Sequence, residues 1–143
     1  MWAVTIATDV SIVHRLHRAR GRSHFLHGHT WTITVEVGTY DLSEAGTVVE
    51  FAPIKAKVRE WLVQHVDRHV LLAATDPAVP RLAEFCCGGA PLCIDGEPTA
   101  ELLAKYLYHI FYPVVKELMA DRIKYLKVTV CEAERLSASY DGL

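Results

Sequence analysis

No stretch of this sequence approaches the roughly 18 consecutive apolar residues that a membrane-spanning helix needs, so no membrane partner is expected. Charge of one sign is also missing. Fifteen Lys and Arg stand against seventeen Asp and Glu, a net charge of -2, which gives no global reason to expect nucleic acid as a partner. The opening residues, Met1-Trp-Ala-Val-Thr, lack the charged and apolar regions of a signal peptide, and the expected compartment is the cytoplasm. Cysteines are few, at 86, 87, 93 and 131, and without an export signal they read as free thiols. Cys86, Cys87 and Cys93 lack paired Cys-x-x-Cys spacing, which argues against a structural zinc site there. There is no internal repeat and no low-complexity tract. What the chain does have is a core's worth of apolar residues, 51% hydrophobic against 22% charged, over a length of 143 that suits one domain, residues 1–143.

Periodicity then assigns the elements. Residues 2–13 alternate through Trp2, Val4 and Ile6 as a strand, and 14–27 read as a polar, Arg-rich loop. A second strand at 29–39 has Trp31, Ile33, Val35 and Val37 on one face and Thr30, Thr32, Thr34 and Glu36 on the other. Residues 46–51 read as a short strand leading into a helix near 53–66, with Pro53 in its first turn. A long irregular connection at 73–97 carries three Pro and three Gly. A second helix runs from Pro98 to about Asp121, with a stripe through Leu103, Leu107, Ile110, Val114 and Leu118 and an expected kink at Pro113. The last strand is placed at 123–132. The order β-β-β-α-α-β predicts an α+β domain, a four-stranded antiparallel sheet with two helices on one face.

Histidine is the informative residue. Five of the eight lie at His14, His17, His24, His27 and His29. His27 and His29 are two apart at the start of a strand, so both side chains leave one face. A third imidazole from the end of a paired first strand, His14, completes a three-histidine site with a fourth position open for water or substrate. The spacing alone also fits three ordinary histidines, because His-x-His is short and common.

Six segments, in order, carry a resemblance. They are Val10-Ser-Ile-Val-His14-Arg-Leu, His27-Gly-His29, Gly46-Thr-Val-Val-Glu-Phe51-Ala-Pro-Ile-Lys55, Val66-Asp67, Pro98-Thr-Ala-Glu101 and Val130-Cys-Glu132. Together they resemble the 6-pyruvoyltetrahydropterin and 6-carboxytetrahydropterin synthase family. The resemblance implies Zn2+ held by His14, His27 and His29, a pterin substrate, and a tunnelling fold in which subunit sheets close a trimeric barrel and two trimers stack. A homo-oligomer, a hexamer as a dimer of trimers, is therefore expected. It implies Glu132 as the pterin anchor, since a carboxylate accepts paired N–H donors from the ring. Thr99 and Glu101 are expected at the substrate on the same ground, although a glutamate in a first helical turn is favoured by the helix dipole anyway. Arg15, Arg18, Arg20 and Arg22 read as a clamp on a substrate triphosphate or as a solvated basic loop.

The pattern breaks at the catalytic groups. Where the two named activities place a cysteine, four residues before His-Gly-His, this chain has Ser23. A hydroxyl is a far weaker acid than a thiol of pKa about 8.5. The family's Asp-His pair reads Asp67-Arg68, with His69 displaced by one. Some relatives carry a glutamate three residues before His-Gly-His, where this chain has His24, and an ordinary imidazole is a competent general base. The expectation is thus a zinc-dependent lyase acting on the side chain of a reduced pterin such as 7,8-dihydroneopterin triphosphate. His24, Asp67, His69 and Ser23 are its candidate catalytic groups. A non-catalytic pterin- or purine-binding homo-oligomer is the alternative.

Overall fold

The computed structural model describes all 143 residues. Strand β1 (Trp2–His14) and strand β2 (His27–Thr39) form a long antiparallel pair in which Trp2 meets Thr39 and His14 meets His27. Their period-two pattern decides which side is covered. Ile6, Val10, Ile12 and His14 of β1 and Trp31, Ile33, Val35 and Val37 of β2 are buried, while Thr5, Ala7, Asp9 and Ser11 are exposed. Helix α1 (Phe51–His65) buries Ile54, Val58 and Leu62 beneath that face.

The sheet has six strands, not four, in the order β4-β3-β1-β2-β5-β6. The additions are β3 (His69–Ala73), β4 (Leu92–Ile94) and β6 (Leu136–Tyr140), with β5 at Tyr125–Ala133. Two of these pairings are parallel, β3 with β1 and β4 with β3, so the sheet is mixed where a purely antiparallel one was expected. Both parallel strands are short apolar runs after long connections, the arrangement that parallel pairing requires.

The expected strand at 46–51 is absent. Ser43 N–H donates to Thr47 O at 2.9 Å and Gly46 N–H to Ser43 O at 2.8 Å, closing a turn in which Gly46 takes φ 78°. Val48 and Val49 are buried from that turn, so their apolar character serves the core and not a ladder. The Arg122 guanidinium supplies the missing donors, to the carbonyls of Asp41, Thr47 and Val48 at 3.2, 3.1 and 3.0 Å. A four-residue helix α2 (Val79–Leu82) lies inside the long connection.

Helix α3 (Ala100–Met119) packs against β5 and β6 and passes Pro113 without division. Its N-cap is Thr99, whose hydroxyl accepts from Leu102 N–H at 3.2 Å. Its buried stripe is Ala100, Leu103, Ala104, Leu107, Phe111, Val115 and Met119. Beyond Leu107 it runs at strict four-residue steps, which moves Ile110, Val114 and Leu118 to the half-buried flank.

Candidate metal centre

Strand pairing brings the three histidines together. His14 ends β1 directly opposite His27 at the start of β2, and His29 follows on the same face. One ring nitrogen from each lies within 4.8 Å of the other two. The second nitrogens define the tautomers. His14 Nδ1 lies 2.8 Å from Pro98 O, and His27 Nδ1 lies 2.7 Å from Phe25 O. A carbonyl oxygen only accepts, so both Nδ1 atoms carry the proton and both Nε2 atoms present lone pairs.

Those two Nε2 atoms face each other at 3.0 Å with no proton left to share. Bare, this contact is repulsive; with a cation between, it is a ligand pair. A tetrahedral zinc with bonds of about 2.0–2.1 Å sets its nitrogens about 3.3 Å apart, so the pair fits such an ion. Burial, aided by the like charges of His27 and His29 and opposed by the bond to Pro98, pulls the His14 pKa from 6.5 to about 4. The His29 pKa is also lowered, by burial first and by His27 second, while Glu132 acts the other way. Both shifts keep the rings neutral, the form a metal takes.

Trp31 forms the wall behind the imidazoles. Its ring stacks on His29 at 5.4 Å between centroids and meets His14 edge-on at 4.9 Å. The indole N–H is buried and finds no acceptor.

Glu132 sits at an irregularity in the β5–β6 ladder between Cys131 and Ala133, one step beyond the Thr32–Cys131 pair, and is therefore beside Trp31. A bulge re-aims a side chain. Here Glu132 shares a cleft with Glu101, Arg135 and Ser137 at the start of α3. Thr99 is spent on capping that helix.

The other expected site residues are not among the three converging imidazoles. Ser23 is exposed, and its carbonyl accepts from Leu16 N–H at 2.8 Å. His24 is half-buried, with Nδ1 3.1 Å from His17 O, and lines a cleft with Arg15, Phe25 and Arg81. Asp67 accepts from Ser11 N–H at 2.8 Å, and Arg68, left-handed at φ 58°, donates its own N–H to Ser11 O at 2.6 Å. His69 pairs in register with Ile12, which in turn faces His29. Two strand spacings of about 4.8 Å therefore separate His69 from His29, with buried Ile12 between. The His69 ring is held by the backbone of Asp67, Nδ1 to O at 2.7 Å, and not by its carboxylate.

Arg15 is committed as well. Its Nε and Nη2 reach the two oxygens of buried Asp76 at 2.8 and 2.5 Å, leaving Arg18, Arg20 and Arg22 without a carboxylate partner. That bond holds the Asp76 carboxyl below, and the Arg15 guanidinium above, their ordinary ranges. Asp76, Glu97, Trp31 and the Pro98 carbonyl were not foreseen. The partners of Asp76, Glu97 and the Pro98 carbonyl are distant in sequence, with only the position of Glu97 before the Pro-Thr-x-Glu segment as a local signal, whereas Trp31 follows His29 by two residues on the same strand face.

Known proteins share the sequence pattern and the fold. The family model for 6-pyruvoyl tetrahydropterin synthase matches residues 3–143. A probable 6-carboxy-5,6,7,8-tetrahydropterin synthase from Halobacterium salinarum is 31% identical over 129 residues, covering 90% of this chain and 79% of that one. The Aquifex aeolicus 6-carboxy-5,6,7,8-tetrahydropterin synthase is 31% identical over 119 residues, 80% of this chain and 73% of its own. Among solved structures, a Plasmodium vivax 6-pyruvoyltetrahydropterin synthase superposes with a TM-score of 0.73 at 17% identity, covering 99% of this chain and 98% of that one. An uncharacterized protein from Wolinella succinogenes reaches 0.78 at 16%, with the same coverage of both chains. The fold is the tunnelling fold, and the chain belongs to the 6-pyruvoyl tetrahydropterin synthase family.

Proposed function

We propose that this pterin-synthase-type lyase is zinc-dependent and works on the side chain of a reduced pterin such as 7,8-dihydroneopterin triphosphate. The observation that carries the reading is the trio of converging imidazoles, two with lone pairs face to face at 3.0 Å, on the same sheet as Glu132. His14, His27 and His29 hold the ion. Zinc bound there supplies positive charge that acidifies side-chain hydroxyls and the neighbouring C–H bonds of the substrate.

The chain's own groups do the rest. Glu132, re-aimed at its bulge, accepts paired N–H donors from the pterin ring, with Glu101 across the same cleft. Arg18, Arg20 and Arg22, free of carboxylate partners, meet the phosphates. His24 takes the proton. Its Nδ1 donates to His17 O, which leaves Nε2 with a lone pair, and its loop runs directly into the His27 strand. His69 is the weaker candidate, because buried Ile12 stands between it and the trio. Ser23 is exposed, and a hydroxyl is a poor base unless something activates it.

Assembly as a hexamer of two stacked trimers belongs to the same proposal. The sheet ends in two open edges, β4 and β6, that edge-to-edge pairing between subunits would cover. The test is incubation of the zinc-loaded protein with 7,8-dihydroneopterin triphosphate, followed by mass spectrometry of the products. A changed side chain is expected. An unchanged substrate with tight binding would favour the non-catalytic pterin-binding oligomer instead.

A further inference from the structure

The proposed base and the free arginines all ride on one loop, residues 15–24, and that loop has almost no core of its own. Ser23 and the four residues from Arg18 to Gly21, Ala19 apart, are exposed. What holds it comes from the other side of the sequence. Glu97 accepts from the backbone N–H of His17 at 3.1 Å and from that of Arg18 at 3.0 Å, one on each carboxylate oxygen. The His17 Nδ1 lies 2.8 Å from Glu97 Oε1, close enough for an ion pair but without hydrogen-bond geometry, so the two backbone N–H groups carry the hold. Two residues earlier in the loop, Arg15 lies against both oxygens of Asp76, a carboxylate only 3% exposed. Asp76 in turn accepts from Ala78 N–H at 2.8 Å, at the entry to α2.

We propose that Asp76 and Glu97, at the two ends of the long connection 74–97, are positioning residues that fasten the 15–24 loop and so aim His24. The route from Glu97 to the base is short. Glu97 fixes the His17 main chain, and His17 O receives the His24 Nδ1–H at 3.1 Å. The residue after Glu97 is Pro98, whose carbonyl orients His14. One tripeptide, Glu97-Pro98-Thr99, thus holds the loop, sets the tautomer of a metal-facing imidazole and caps α3. A carboxylate suits the task because it accepts several N–H donors at once, whereas an amide in its place turns one end into a donor facing another donor. Without these two carboxylates the loop keeps only its internal turns, such as Leu16 N–H to Ser23 O at 2.8 Å.

The inference rests on the reading of His24 as the base, so its test needs a measurement that does not depend on turnover. Trypsin cuts after Arg18, Arg20 and Arg22, all exposed. Zinc-loaded full-length protein and its Glu97→Ala, Glu97→Gln and Asp76→Asn variants are digested briefly, and the first cuts are located by mass spectrometry. The expected result is cleavage within 15–24 at least about 10-fold faster in Glu97→Ala and Asp76→Asn, smaller in Glu97→Gln, with zinc per chain unchanged. Where Asp76→Asn fails to fold, Arg15→Gln removes the same ion pair from its more exposed partner. In the product assay kcat should fall in the same order as the loop loosens. Equal cleavage rates in all variants, or first cuts scattered outside the loop, would overturn the proposal. Wild-type protein that converts no pterin would overturn the functional reading alone, because the cleavage pattern is obtained without substrate.

Discussion

His14, His27 and His29 hang from paired strands, whereas Ser23 and His24 hang from a loop held by side chains far away in sequence. The first set is placed by a ladder that runs thirteen residues in unbroken register from Trp2–Thr39 to His14–His27. The second is placed by a few bonds to Glu97 and Asp76. A ladder fixes direction residue by residue, so a metal site written on it survives changes elsewhere. A loop can change its chemistry without disturbing the sheet. A chain built this way can keep its three converging imidazoles while the groups on its loop change.

The largest effect should come from the ladder. His27→Ala is expected to lower zinc from one per chain to near zero, read by metal analysis, and to abolish turnover. In the loop, His24→Ala should cost roughly 100- to 10,000-fold in rate with zinc retained. Ser23→Ala should change the rate little in the same assay, and the reverse outcome would move the base to Ser23. Glu132→Gln removes charge-assisted bonds of about 1.5–3 kcal/mol each and should weaken pterin binding at least about 10-fold by calorimetry, without releasing metal.

Acid should distinguish the regions too. The His14 pKa is about 4 in the folded metal-free chain against 6.5 unfolded, so between those values the unfolded state binds the proton first. Stability of the metal-free protein is expected to rise with pH across that window and to be lost as pH falls through it, by roughly 3 kcal/mol from this group. Urea denaturation at a series of pH values reads it. The smallest effect is at the helix start, where Thr99→Ala should lower stability by about 1 kcal/mol through loss of the cap.

The sequence made the central strands, α1 and the metal-facing histidines legible because their periodicity is long and the pairing of β1 with β2 follows from it. Strand β3 was passed over because it has only five residues, and β4 because it has three and lies inside a Pro- and Gly-rich connection. Strand β6, Leu-Ser-Ala-Ser-Tyr, carries little apolar signal and exists by pairing to β5. Thr47-Val48-Val49 misled in the other direction, since β-propensity reports burial as readily as a ladder. At the site, the ligands lay close in sequence, but their supports did not. Arg15 meets Asp76 across 61 positions and Arg18 meets Glu97 across 79. No local pattern encodes such contacts.

The left-handed turn at Arg68 has one more consequence. Its N–H and the Asp67 carboxylate clasp Ser11 from both sides, so the chain enters β3 at a fixed phase. Residue 68 is thereby exposed, while residue 69 falls on the side of Ile12. A histidine shifted by one letter has therefore changed sides of a wall. In a loop such a slip is a small displacement; at the mouth of a clasped strand it is a reassignment, and the ring at 69 inherits neither the surroundings nor the company of a ring at 68.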